Sequence, residues 1–314
     1  PGAPLAVVDP GASFCWLLVG LVLVVARKPP RWRLLVAAGA VGAVLLGSHA
    51  AWMRWRSDRL DAVFLSVGHG DASIVRLPGG RVAVIDGGGR GRGRLVVGPM
   101  LRRMRIARID YLIVSHVQSD HWPGALELAR EFGVGELWYS GGACSNADFR
   151  EALARLRESG TRIVDAGSGD PIVRSGLQGW LLRVLWPPGG SGSCDDNDRS
   201  LVVEASFAGT RILWTGDIEE TAEHRLARRV ARADILKVAH HGSHTSSSAA
   251  FLAAVAPSYA VVSVSKYNRF GLPDEKVLAR LRQAGARILR TDRDGAITAA
   301  VTAAGPSVNP AKRL

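Results

Sequence analysis

The chain has 314 residues, of which 47% are hydrophobic and 22% charged, a balance that allows one large domain or two smaller ones with ample core material. Its net charge of +12 suits polyanionic partners such as nucleic acid or anionic lipid, although arginines crowded into the first sixty residues contribute part of it. The three cysteines, Cys15, Cys144 and Cys194, lack the paired spacings of a zinc ribbon or redox motif, which leaves only a Cys144–Cys194 disulfide open, and only outside the cytoplasm.

Two apolar runs come first, ASFCWLLVGLVLVVA over Ala12–Ala26 and LLVAAGAVGAVLLGSHAAW over Leu34–Trp52. The second matches the ~20 residues that a bilayer requires, and the first does so once Val7–Gly11 extend it. The basic link RKPPRWR between them predicts a transmembrane hairpin, about 7–26 and 34–52, with the link in the cytoplasm and the rest of the chain facing outward. A buried hairpin is the competing reading, but neither run shows an amphipathic pattern. The opening Pro1 leads us to expect a fragment of a longer membrane protein. The organisation predicted is a membrane stem over 1–60, a domain over 61–304 and a flexible tail over 305–314.

After Arg59 short β-type runs alternate with helical ones. Strands are predicted at Ala62–Val67, Ala72–Leu77, Arg81–Ile85, Asp110–Ser115, Glu136–Tyr139, Arg162–Asp165, Trp180–Leu185, Leu201–Phe207, Arg211–Thr215, Asp234–Val238, Tyr259–Val264, Arg287–Arg290 and Ala296–Val301. Helices are predicted at Gly98–Arg105, Ala125–Phe132, Ala147–Glu158, Glu219–Val230, Ser247–Val255 and Glu275–Ala284. That order suits an α+β fold of two mixed sheets packed face to face with helices outside. Gly87–Gly93 (GGGRGRG) lacks the spacing of a dinucleotide loop and reads as a flexible connection near a site mouth.

The strand Asp110–Ser115 runs into SHVQSDHWPG, which gathers His116, Asp120 and His121 in one turn. Imidazole and carboxylate together suit zinc, manganese or iron. Asp217 follows the apolar run RILWTG, His240 and His241 follow DILKVA, and Asp86 ends RVAVI. Four strands finishing in His or Asp form the pattern of one metal site assembled at one sheet edge. Ser246, Ser247 and Ser248 open a helix and are expected to cap it, with a substrate role as the alternative. Trp122 beside the ligand turn is expected to pack in the core, with base stacking as its alternative.

The segments FLSVGHGDAS, VIDGGG, SHVQSDHWPG, NDRSLVVE, ILWTGDIEETAE, ILKVAHHGSHTSSSAAFL, SVSKYNRFGLP and RTDRDGAI resemble, in this order, the metallo-β-lactamase superfamily, and in wording the C-terminal domain of the ComEC family. The resemblance implies a four-layer αββα sandwich with one or two divalent ions, zinc or manganese. Its H-x-[HD]-x-D-H motif matches His116, Asp120 and His121, while Gln118 stands where a second His or Asp is usual. Asp217 matches a bridging carboxylate and His240 or His241 a later ligand. The implied metal set is thus His116, Asp120, His121, Asp217 and His240, and the implied catalytic set Asp120, Asp217 and His241. Asp71 and Asp86 lie in matching segments. Ser66 and Leu272 depart from the pattern, Leu272 standing where an Asn-Arg-Phe-Gly-His-Pro wording would place a histidine. Asn197, Arg199, Ser200, Ser243, Asn268 and Arg269 are candidates for phosphate contact.

The function implied is a competence component in the bacterial inner membrane, multi-pass, whose outward, periplasmic or extracellular domain hydrolyses phosphodiester bonds of incoming single-stranded DNA beside the rest of an uptake channel. A metal-depleted domain that only guides DNA, favoured by Gln118 and Leu272, and a membrane-tethered metallo-hydrolase of another ester or lactam are the alternatives.

Overall fold

The computed structural model describes residues 31–55, 58–141, 146–167, 171–187 and 197–311. The chain divides into two compact units, Pro1–Arg56 and Ser57–Leu314. In the first, Arg31–Trp55 forms a single helix, α1, which covers the second predicted span. Leu35, Val36, Leu45 and Leu46 on it are exposed. Among the described residues no helix is long and apolar enough to cross a membrane. The predicted hairpin therefore gains no support here, and its first span, like Cys144 and Cys194, lies outside the described residues.

In the second unit six strands come first: β1 (Leu60–Phe64), β2 (Ser73–Arg76), β3 (Val82–Ile85), β4 (Arg108–Val114), β5 (Gly133–Tyr139) and β6 (Arg162–Asp165). Seven follow: β7 (Ile172–Ser175), β8 (Trp180–Trp186), β9 (Val202–Phe207), β10 (Thr210–Trp214), β11 (Ile235–Lys237), β12 (Tyr259–Val262) and β13 (Arg287–Arg290). Strands β14 (Ile297–Thr302) and β15 (Gly305–Pro310) close the chain. Eight strands pair in the order β15-β14-β1-β2-β3-β4-β5-β6, and seven in the order β13-β12-β11-β10-β9-β8-β7. Each sheet has an antiparallel half and a parallel half, the parallel runs being β3 to β6 and β10 to β13.

The period-two alternation of these strands builds three apolar layers. Phe64, Val75, Ile113 and Trp138 of the first sheet meet Val203, Ile212, Trp214 and Ile235 of the second between the sheets. Val63, Ile74, Leu112 and Val114 turn outward under α2 (Gly98–Arg103), α3 (Trp122–Glu131) and α4 (Ala147–Glu158). Leu213, Leu236 and Val262 turn outward on the opposite side, under α5 (Glu220–Leu226), α6 (Ala249–Val255) and α7 (Glu275–Gln283). A last turn, α8, spans Thr291–Asp294. Two sheets between two helical layers are the expected αββα arrangement.

Two expectations are corrected. Residues 305–310 are not a tail: they form β15, paired with β14 from Ile297↔Pro310 to Thr302↔Gly305. The Gly-rich stretch is not a flexible connection either. Gly87 N–H donates to His121 O at 3.0 Å and Gly124 N–H to Gly88 O at 3.0 Å, and a Cβ on Gly87 or Gly124 would strike the backbone of the facing segment. The glycines let two loops lie in backbone contact. Trp122 packs edge-on against Phe149, centroids 5.4 Å apart, and Ser248 caps α6 by accepting from Phe251 N–H, both as expected.

Glu223 on α5 is fully buried, and its carboxylate accepts from the N–H groups of Ser247 and Ser248 at the entry to α6. Glu223→Ala leaves both donors without a partner and should cost about 3 kcal/mol in a urea titration. Burial pushes the Glu223 carboxyl above its ordinary range, more than the Ser248 and Ser247 bonds lower it. A raised carboxyl favours folding most at acid pH and loses that contribution as pH rises through its folded-state value. The stability margin of the native protein over Glu223→Gln should accordingly shrink with rising pH.

Candidate metal centre

The chemistry-bearing residues stand at the C-terminal ends of the parallel strands, where strand carboxyl ends commonly receive ligands in sheets of this kind. Asp86 leaves β3, the turn from Ser115 to His121 leaves β4, Asp217 leaves β10, and His241 leaves β11. The turn between β1 and β2 adds His69 and Asp71.

Their donor atoms converge. Asp217 Oδ2 lies 3.4 Å from His121 Nε2 and 3.4 Å from His241 Nε2. Asp120 Oδ2 lies 3.4 Å from His241 Nε2 and 3.4 Å from His69 Nε2. His116 and His121 stand ring to ring, 4.2 Å between centroids. These separations exceed a good N–H···O bond, which falls at about 2.7–3.2 Å. They match the edge of a tetrahedron, about 3.4 Å long when donors sit at zinc–nitrogen and zinc–oxygen bond lengths. Nε2 of His116, His121 and His241 and Oδ1 of Asp217 are buried with no hydrogen-bond partner. Unpartnered atoms of this kind are costly unless a ligand takes them up.

The backs of the rings are held. Asp86 accepts from Ser115 N–H at 2.8 Å and from Ser115 Oγ at 2.8 Å, and His121 Nδ1 lies 3.0 Å from its Oδ2. His241 Nδ1 donates to Ser263 O at 2.9 Å. Both contacts set the tautomer that aims a lone pair of Nε2 into the cluster. Ser200 Oγ accepts from Asp217 N–H at 3.0 Å, so this residue, expected to meet phosphate, supports a site carboxylate instead.

Electrostatics shows what the cluster lacks. Burial pushes the His116 imidazole down to about 4, with His121 adding to the effect, so it is neutral and fit to ligate. Burial would lower His121 and His241 too, but Asp217 with Asp86 in one case, and Asp217 with Asp71 in the other, outweighs it and raises both. Burial would raise Asp120 and Asp217, but His241 and His121 hold both below the carboxylate range. Asp71, Asp86 and Asp217 are buried together. Among the described residues the one fixed cation among them is Lys237, 2% exposed, bonded to Asp71 and 4.0 Å from Asp217 Oδ1. Lys237 alone does not balance these three carboxylates, and the raised His121 and His241 imidazoles show that the cluster favours positive charge in its midst.

Not every expected residue joins. His240 is turned away: its Nδ1 lies 3.1 Å from Glu219 Oε1 and 3.4 Å from Thr245 Oγ1. Its neighbour His241 takes the place expected for it, because both have positive φ, 47° and 52°, and a twisted backbone sends adjacent side chains apart. Gln118 Nε2 donates to Asn197 Oδ1, which ties that amide outside the cluster, and Asn197 also donates to Glu219 at 3.2 Å. Leu272 packs on the outer core of the second sheet. Asn268 is engaged by its own loop, through Ser265 O and Leu272. Arg199 donates to Gly141 O, Ser243 meets Thr245, and Arg269 is exposed beside Phe270. Sequence reasoning passed over His69, Ser115 and Lys237. Lys237 carried a signal, a charge inside the apolar run DILKVA.

The metallo-beta-lactamase superfamily model matches residues 65–266, a span that holds His69 through His241. The chain belongs to this superfamily. It is 32% identical over 251 residues to ComE operon protein 3 of Bacillus subtilis (strain 168), covering 74% of this chain and 32% of that one. It is 30% identical over 233 residues to competence protein ComA of Neisseria gonorrhoeae, covering 73% and 30%. The resemblance to competence proteins read from the motifs is thus borne out. The chain spans about a third of the length of these curated relatives. Among solved structures, CmlA, a diiron beta-hydroxylase from Streptomyces venezuelae, aligns with a TM-score of 0.50 at 16% identity over 73% of this chain and 52% of that one, a likeness of fold alone.

Asp86→Asn provides a test of the support behind His121. Asp86 sits at φ 58°, a conformation that Asn also tolerates, so the backbone should hold. Losing the carboxylate behind an imidazole typically costs about 10–100-fold in metal affinity, and calorimetric zinc titration should show a loss of that size.

Proposed function

We propose that the domain is a metal-dependent phosphodiesterase acting on single-stranded DNA, in a competence protein that brings DNA into the cell. The observation that carries this reading is the convergence of His116, Asp120, His121, Asp217 and His241, with unpartnered donor atoms at tetrahedral spacing. These five residues would hold one or two divalent ions, zinc or manganese. A bound divalent ion supplies Lewis-acid polarisation of a phosphoryl oxygen and makes water more acidic.

The chain's own groups do the rest. Asp120, whose side chain is 20% exposed against 1% for Asp217, is the more open of the two, and as an ionised carboxylate it can accept a hydrogen bond from water and orient it. Asp217 and Asp86 stay inside, where they hold the imidazoles. At the rim, the loop from Lys266 to Phe270 presents Tyr267, 88% exposed, and Phe270, 59% exposed, with Lys266 and Arg269 beside their rings. Exposed rings interleaved with cations suit stacked bases and phosphates of a single strand. Phe270 also stacks on His69, centroids 5.0 Å apart, so a strand held at this loop lies next to the cluster.

The competence names of the relatives supply the biological setting, and the net charge of +12 agrees with a polyanionic substrate. We place the protein at the bacterial inner membrane with this domain outward, next to the rest of an uptake channel. The competence names of the relatives motivate that placement. The guide reading, in which the domain binds DNA without cutting it, draws support from Gln118 and Leu272, neither of which reaches the cluster.

One experiment separates them. The purified chain is mixed with end-labelled single-stranded DNA and manganese or zinc, and both cleavage and retention are measured. Metal-dependent cleavage abolished by chelator is expected. Retention of DNA with neither bound metal nor cleavage would overturn the hydrolase reading in favour of the guide.

A further inference from the structure

The loop between β1 and β2 carries the one histidine of the cluster that no motif singled out. His69 lies between Gly68 and Gly70, which adopt φ 86° and 111°. A Cβ on Gly70 would collide with the carbonyl oxygen of Asp120, so the loop can lie this close only with glycine there. The consequence is that His69 is laid directly over Asp120. Its Nε2 stands 3.4 Å from Asp120 Oδ2, its ring centroid is 4.7 Å from that of His241, and its far face is covered by Phe270. His69, Asp120 and His241 bring one donor atom each to within 4.8 Å of one another.

Two features argue against simple packing. The His69–Asp120 contact is too long and the His241–Asp120 contact equally so, each 3.4 Å, for either to be a good hydrogen bond. His241 Nε2 is fully buried and has no partner, although Asp120 and Asp217 are close enough to be drawn in. Both 3.4 Å edges suit an ion between the groups, and the third pair of donor atoms lies within 4.8 Å. A second set, His116, His121 and Asp217, stands beside the first, and Asp217 Oδ2 is 3.4 Å from an imidazole of each. The His69 side chain is 35% exposed, which leaves the first set open toward the rim.

We propose that His69 is a metal ligand: with Asp120 and His241 it forms a three-donor set for a divalent cation of the zinc or manganese type, next to the set of His116, His121 and Asp217. This rests on the reading of the domain as a metal centre. It supplies an imidazole from the β1–β2 loop, whereas Leu272 packs on the outer core of the second sheet.

The test uses the full chain, stripped of metal and titrated with cobalt(II), followed by visible absorption and by elemental analysis. The native chain is expected to take up two ions, and His69→Gln to bind the second at least about 100-fold more weakly. His69→Cys supplies a signal that a misfolded protein would not give: a thiolate-to-cobalt charge-transfer band in the near ultraviolet, absent from the native chain under the same conditions. Unchanged stoichiometry and affinity in His69→Gln, together with no new band in His69→Cys, would overturn the assignment. A native chain that takes up no cobalt at all would instead overturn the metal-centre reading on which it stands.

Discussion

On the proposed hydrolase reading, Asp217→Ala should remove bound metal and lower DNA cleavage by at least about 10³-fold, because the ion's stabilisation of transition-state charge is worth several kcal/mol. Among the described residues the nearest substitute is Asp120, whose Oδ2 lies 3.4 Å from His241 Nε2 but 3.8 Å from His121 Nε2. Asp217 Oδ2 is the atom placed 3.4 Å from both His121 and His241, so its loss disconnects the imidazoles from β4 and β11 at once. The side chain is 1% exposed, and water entering the space would face two histidines and Lys237 with one carboxylate fewer to offset them. Circular dichroism should remain native, since Ser200 anchors the backbone N–H of this residue rather than its carboxylate. DNA retention should survive as well, because the exposed loop from Lys266 to Phe270 is untouched. Cleavage that persists in Asp217→Ala would mean that the activity comes from another site.

Lys237→Met should destabilise the metal-free domain by about 3–5 kcal/mol, the usual cost of removing one partner from a buried ion pair. Lys237 Nζ bonds to Asp71 and lies near Gly216 O and Asp217, all inside the protein. Methionine keeps the length and apolar stem but leaves Asp71 buried and uncompensated. Asp71→Asn added to Lys237→Met should recover part of the loss, since it deletes the orphaned charge. A double-mutant cycle in urea measures that coupling. Zinc should also stabilise Lys237→Met more than the native chain, because a cation next to Asp217 offsets part of the missing ammonium. Equal stability of Lys237→Met and the native chain without metal would show that this pair contributes nothing to folding.

Much of the centre was legible because strand ends are legible. Asp86, His116, Asp217 and His241 each follow an apolar run, and the sheet topology gathers those ends at one edge. What could not be read was which of two adjacent histidines turns inward, since that depends on the positive φ at His240 and His241. Lys237 and Asp71 are 166 positions apart, and no local pattern pairs them. His69 has no periodic neighbour, and its partners arrive from two other loops. Near the end of the sequence, 305–310 contains Pro306 and Pro310, yet it is a strand and not a tail. A strand at the sheet edge tolerates proline, because its missing N–H faces away from the ladder, and β15 is such a strand.

The contact between Gly70 and the Asp120 carbonyl reaches beyond the question of ligands. It joins the β1–β2 loop to the turn after β4, and Gly88 N–H adds a 2.7 Å bond to Asp71 O that ties the same loop to the segment after β3. Two segments that bear donors are thereby one mechanical piece. Ordering of the site happens when the domain folds, so an arriving ion meets a shape already made. The same junction restricts drift: a larger side chain at Gly70 would shift His69 and Asp120 together. Changes of ion preference are then open to single substitutions at the donors themselves, and closed to gradual movement of the loops that carry them.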